Sequence, residues 1–179
     1  MLLVDWISGT DYYWPLDGIV NGKAIGTVPA TVNGNVTTPD RVQNGRDVLQ
    51  FESYYAYLDA GQFAVQCITD PGQCSNGITV SFVVQFDDGA KTWTRNTFIV
   101  DTIGDETLLQ GNRGFAVYAV SNRLYVTVVT RGKTWTLSQP LITGILAWQH
   151  VMFTWQLEKG LALYTNGTQR YIYPVTQSV

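Results

Sequence analysis

The 179-residue sequence predicts an all-β fold, an antiparallel β-sandwich of the jelly-roll type, and three observations carry that expectation. Thr, Val, Tyr, Trp and Phe, the residues that favour strands, dominate the composition, and aromatic residues alone make up 13%. Apolar and polar residues alternate most clearly in residues 78–86 (ITVSFVVQF), where Ile78, Val80, Phe82, Val84 and Phe86 share one face. Turn signals recur at intervals of about 8–15 residues, the spacing of a sandwich or jelly roll, and no helix-length stretch shows a 3.6-residue repeat.

Taken in order, residues 12–16 (YYWPL) read as a short aromatic strand. Residues 25–36 are rich in Gly, Val and Thr, with Asn33-Gly34 as a turn. Residues 47–51 (DVLQF) and 54–58 (YYAYL) flank Glu52-Ser53, a hairpin or a corner. After the 78–86 strand, residues 97–101 form another. Residues 114–120 and 123–130 make a hairpin about Ser121-Asn122, and Arg131-Gly132-Lys133 turns into 134–137. The terminal block is WQHVMFTWQLEKGLALYTNG, residues 148–167. Val151, Phe153 and Trp155 fall on one face of its first strand; Glu158, Lys159 and Gly160 turn; residues 161–165 run into Asn166-Gly167. Asn-Gly at a strand end signals a type I′ turn, which needs positive φ at both central residues. Val80, Phe82, Val84, Val151, Phe153 and Trp155 are the expected core. The longer polar stretches, 87–96 and 102–113, are candidate loops, the usual carriers of binding in a sandwich.

Length predicts one domain, 1–179. Charged residues are only 14%, against about 25% in an average soluble domain, and Thr, Asn, Gln and Ser carry the polarity, as in secreted proteins. Eleven basic and 14 acidic residues give a net charge of −3 with no basic stripe, which argues against nucleic-acid binding. No segment approaches the roughly 18 apolar residues of a membrane span. Residues 1–4 meet Asp5 at once and leave no signal-peptide core, so a secretory signal is expected to have been removed or to lie outside the sequence.

Cys67 and Cys74 bracket the turn Asp70-Pro71-Gly72 in CITDPGQC. A disulfide there would close a small loop and add roughly 2–3 kcal/mol. The rival readings are a metal clip or two buried thiols. His150 is the lone histidine, so a Cys/His zinc set cannot be assembled. The turn and the secreted composition favour the disulfide.

Catalytic patterns are weak. A glycosidase needs two carboxylates flanking the scissile bond, which on a strand means acids two apart. Asp87-Asp88 and Asp105-Glu106 are adjacent instead. His150 lies two residues from Trp148 and Met152, a position that suits bracing rather than catalysis. Trp93 and Trp135, each near a turn and beside cations, can stack sugars or can cover the core. Asn35-Val36-Thr37 and Asn166-Gly167-Thr168 are glycosylation sequons, and Asn166, at a hairpin tip, is the better acceptor.

Four blocks in order carry a family resemblance: YYWPLDGIVNGKAIGT, CITDPGQCSNGITVSF, GFAVYAVSNRLYVTV and the 148–167 hairpin. Together they resemble laminin-G-like and pentraxin-like domains of the concanavalin A type, found in animal extracellular proteins. The ectodomains of adhesion G-protein-coupled receptors are the nearest in pattern. The resemblance implies a non-enzymatic recognition or adhesion module of a larger secreted or membrane-anchored protein, with a protein or glycan ligand. A carbohydrate-binding lectin domain and a structural assembly subunit are the alternatives. It also implies a calcium possibility, with Asp101, Asp105 and Glu106 as candidate ligands and Asp87-Asp88 as a second place; solvated loop acids are the rival reading. Such domains continue beyond the Tyr-x-Asn-Gly hairpin with further strands. Here little sequence follows Tyr173, so a partner strand or another segment is expected beside 12–16 or the terminal hairpin.

Overall fold

The computed structural model describes residues 2–3, 19–20, 23–24, 30–38, 48–52, 56–59, 66–102, 112–144 and 147–173. Strands dominate them. In chain order these are β1 (Leu2–Leu3), β2 (Ile19–Val20), β3 (Lys23–Ala24), β4 (Ala30–Asn33), β5 (Val36–Thr37), β6 (Gln50–Phe51) and β7 (Tyr57–Asp59). Then come β8 (Ile78–Gln85), β9 (Thr97–Asp101), β10 (Gly114–Val120), β11 (Arg123–Thr130) and β12 (Lys133–Pro140). The last three are β13 (Trp148–Gln156), β14 (Gly160–Thr165) and β15 (Thr168–Tyr173). Among the described residues, helical structure is limited to short turns at Gln66–Thr69, Pro71–Gln73 and Asp88–Thr92. The expected strand at 12–16 lies outside the described residues.

The chain forms two compact units, Met1–Gln62 with Ser81–Gln85, and Phe63–Val80 with Phe86–Val179. The first holds short antiparallel ladders, β2-β3-β4-β7 and β5-β6, with Leu2 and Leu3 of β1 paired to Val84 and Val83. Ala24, Ala30 and Leu49 are buried there, with Ile19, Val32, Val36, Phe51 and Leu58 packed against them. Phe82 and Val84 are buried, as their alternation requires; Gln85 is buried too, out of that pattern, and Val80 is only half-buried.

The second unit is an antiparallel sandwich. One sheet is a four-strand meander in the order β12-β11-β10-β9. Its central turn, Ser121-Asn122, takes φ of 49° and 61°, the positive pair a type I′ hairpin demands. In the other sheet β13, β14 and β15 are consecutive antiparallel neighbours, turning at Asn166-Gly167 with φ of 49° and 73°. Burial along β13 alternates strictly: Gln149, Val151, Phe153 and Trp155 are inside, and Trp148, His150, Met152, Thr154 and Gln156 are half-exposed. The inner faces meet through Phe115 on Phe153 (ring centroids 5.4 Å) and Trp135 on Trp155 (5.3 Å), both edge-to-face. Burying each such ring stabilises the fold by about 1.5–3 kcal/mol. Thr165 and Gln139 tie the sheets where the interior turns polar, the hydroxyl donating to Gln139 Oε1 at 2.6 Å.

β10 (GFAVYAV) is buried on both faces, a continuous apolar run rather than an alternating one. Its even residues Ala116 and Tyr118, with Val129 of β11, form a second apolar cluster, with Phe98, Val120 and Tyr125 against it. Tyr118 stacks on Tyr125 with centroids 5.1 Å apart. Burial pushes the Tyr118 phenol above its ordinary pKa, against a hydrogen bond with Thr127 that acts the other way.

Candidate functional site

The Cys67–Cys74 disulfide is formed, with the two Cα atoms 4.9 Å apart. The segment between them folds as a helical turn and then the 3₁₀ turn Pro71–Gln73, with proline at its start. Asp70 anchors it from within: Gln73 Nε2 donates to Asp70 Oδ2 at 3.1 Å, and Arg113, from outside the loop, forms an ion pair with the same carboxylate. The Gln73 hydrogen bond first, then Arg113, holds the Asp70 carboxyl below its ordinary range although partial burial opposes this. A shallow cleft of about 360 Å³ opens beside this loop, lined by Asp70, Gln73, Arg113, Thr130, Arg131 and Leu157.

Immediately after the loop, Gly77 takes φ of 80° and sits against the backbone carbonyl of Trp155, where a Cβ would collide. Gln156 Nε2 donates to the carbonyl of Asn76 at 2.9 Å. These contacts seat the start of β8 beside the end of β13 and create a second depression of about 380 Å³ on the outer face of the β13–β14–β15 sheet. Its depth follows from register. Thr154 pairs with Ala162 and Gln156 with Gly160, so the first half of β14 presents small residues opposite larger ones of β13. Tyr164, paired with Gln169 of β15, closes one end. Asn76, Ile78, Thr79 and Lys159 complete the lining.

The residues singled out by sequence are placed as follows. Trp135 is fully buried against Trp155, with Lys133 Nζ 5.1 Å from its ring centroid, so it offers no face to a sugar and belongs to the core. Its position, third in a strand whose odd residues point inward, is the physical reason. Trp93 is half-buried edge-on to Phe86 (6.0 Å) and closes the Asp88–Thr92 turn. Asp87 caps that turn by accepting from Ala90 N at 3.1 Å. Asp88 pairs with Lys91 at 3.0 Å and accepts from Thr143 Oγ1 at 2.9 Å, so both acids serve the turn. Asp101 ends β9; Asp105 and Glu106 lie outside the described residues. Among the described residues no three His, Cys, Asp or Glu side chains gather as a metal site.

Asn166 is exposed at its turn, its Oδ1 accepting from the His150 backbone N–H at 2.8 Å. His150 is thereby part of the strand-end pairing, with its carbonyl accepting from Asn166 N at 2.9 Å. Asn35 is exposed but engaged: its Nδ2 donates to Glu52 at 2.6 Å, and Thr37 Oγ1 donates to the same carboxylate at 3.0 Å. The groove on the outer sheet face is what sequence reasoning missed. The available signal was the spacing of Gly160 and Ala162 on the solvent-facing register of an otherwise bulky strand.

No family model matches the chain. It is 27% identical over 164 residues to the adhesion G-protein coupled receptor D1 of Homo sapiens, an alignment covering 90% of this chain and 17% of that protein. Against the Bos taurus protein of the same name it is 30% identical over 154 residues, covering 84% and 15%. The chain thus spans about a sixth of the length of these relatives. Among solved structures it is similar to the binding domain of botulinum neurotoxin DC in complex with rat synaptotagmin II (TM-score 0.58, 15% identity, 88% of this chain and 38% of that one). The same domain in complex with SialylT gives a TM-score of 0.51 at 14% identity, over 89% of this chain and 41% of that one. At these identities the likeness is one of fold. The chain is an antiparallel β-sandwich similar in sequence to one domain-sized stretch of an adhesion receptor.

Proposed function

We propose that this chain is a non-enzymatic, extracellular recognition module of a larger adhesion-type protein, of the laminin-G-like or pentraxin-like kind, with a protein or glycan ligand. The observation that carries the reading is the alignment of nearly the whole chain with about a sixth of an adhesion receptor, the proportion expected of one module. The Cys67–Cys74 disulfide supports an oxidising compartment, since such bonds persist outside the cytosol. The adjacent acids Asp87 and Asp88 hold a structural turn, which removes one place where a carboxylate pair would sit. The solved neighbours are binding domains captured with a protein and with SialylT, and a sandwich of this shape accommodates either ligand class. The test is secretion of the chain from animal cells, followed by display of its disulfide-linked form on glycan and cell-surface-protein arrays. Reversible binding without turnover is expected. Hydrolysis of an arrayed oligosaccharide would overturn the reading.

A second reading, an assembly subunit completed by a partner strand, is supported by β15. Among the described residues it pairs with β14 alone, and a strand edge of this kind templates pairing. Light scattering separates the two: a concentration-dependent dimer favours assembly, and a monomer favours ligand recognition.

A further inference from the structure

We propose that the groove over β13 and β14 is the ligand site of this module and that its ligand is an acidic oligosaccharide, held by its hydroxyls and by one carboxylate. The proposal rests on the recognition reading above and adds to it the place and the chemistry. The groove is a built depression rather than a flat sheet face. The small residues Gly160 and Ala162, paired with Gln156 and Thr154, line it together with the bulkier Tyr164, Gln169 and Ile78. Its volume of about 380 Å³ lies within the roughly 300–1,000 Å³ range of small-ligand sites.

The lining chemistry selects the ligand. Thr79, Thr154 and Tyr164 bring hydroxyls, and Asn76, Gln156 and Gln169 bring amides, groups that both donate and accept. A sugar presents the complementary array, each hydroxyl being donor and acceptor at once. The Gln156 side chain is already fixed by its bond to the Asn76 carbonyl, so less ordering is required on binding. Tyr164 supplies an aromatic ring against which the C–H face of a sugar ring can pack. Among the described lining residues Lys159 is the one charged side chain, and none of them is a carboxylate. The site is therefore cationic at one end and neutral along its length, which fits an acidic glycan better than a neutral one. An extended peptide would need apolar pockets at alternate positions, and the lining has few apolar groups beyond Ile78, Ala162 and Tyr164.

The experiment measures binding of the purified, disulfide-linked chain to three probe sets by calorimetry and array. These are sialylated and uronic-acid oligosaccharides, the same glycans with the acidic sugar removed or reduced, and acidic peptides. Expected is at least a tenfold preference for an acidic glycan over its neutral counterpart, with the responding member of the first set identifying the acidic sugar. Lys159→Gln should erase that preference and leave weak neutral binding. Ala162→Trp fills the groove and should abolish both; Thr154→Trp, at the facing register position and without added charge, serves if the first variant unfolds. Lys133→Gln, on the opposite sheet, is the charge-matched control and should change nothing. Equal affinity for acidic peptides, or glycan binding untouched by both groove-filling variants, would overturn the proposal. If those variants keep full cell-surface binding, the groove assignment fails and the recognition reading stands. If the unaltered chain binds no surface at all, the recognition reading itself fails.

Discussion

At the residue scale, stability rests on a few side chains whose surroundings leave little choice. Phe153 is fully buried and edge-on to Phe115, so Phe153→Ala should cost about 3–5 kcal/mol in denaturant unfolding. Gly77 combines positive φ with a carbonyl where its Cβ would be, and Gly77→Ala should cost more than about 1 kcal/mol in the same assay. The first loss is legible in the sequence, because Phe153 lies on the apolar face of an alternating strand. The second is not, since a glycine after Ser75-Asn76 reads only as a turn and gives no sign of the strand it must approach. Asp70 adds a pH dependence of known sign. Its folded-state pKa is depressed, so its contribution is present above the unfolded carboxyl value near about 4 and is lost as pH falls through the folded value. Asp70→Asn should remove that part of the acid limb and cost about 1 kcal/mol or less near neutrality, as partly exposed pairs do. Urea titrations from pH 2 to about 7 check both statements.

At the element scale, the hairpins were the most readable feature, because turn chemistry is local. Ser121-Asn122 and Asn166-Gly167 both occupy the positive-φ positions that their sequence implies. Ser121 pays the usual side-chain penalty there, so Ser121→Gly should stabilise by up to about 1 kcal/mol, seen as a raised thermal midpoint. Local hydrogen bonds rank the two sequons. A glycan on Asn166 leaves the Oδ1 bond to His150 in place, whereas one on Asn35 displaces the Nδ2 bond to Glu52. Secreted protein should therefore lose its glycosidase-sensitive mass with Asn166→Gln and keep it with Asn35→Gln. Less was legible where burial is tertiary. β10 is buried on both faces, its odd face reaching Phe153 far along the chain, and Gly160 and Ala162 meet Gln156 and Thr154 only through pairing with β13. Trp135 illustrates the same limit: its neighbours Lys133 and Thr134 suggest surface, and the inward register of β12 overrides them.

At the scale of the whole molecule, aromatic contacts join the two sheets of the second unit. Its two sheets close over Phe115, Trp135, Phe153 and Trp155, and the disulfide pins the 67–74 loop. The outer face of the β13–β14–β15 sheet carries a depression with a largely polar lining. The most direct measurement is equilibrium binding of the labelled, disulfide-linked chain to intact animal cells over a wide concentration range. Saturable, reversible binding is expected, displaced by excess unlabelled chain and absent in the groove-filling Ala162→Trp variant. Binding that rises without saturating, or none at all, would contradict it.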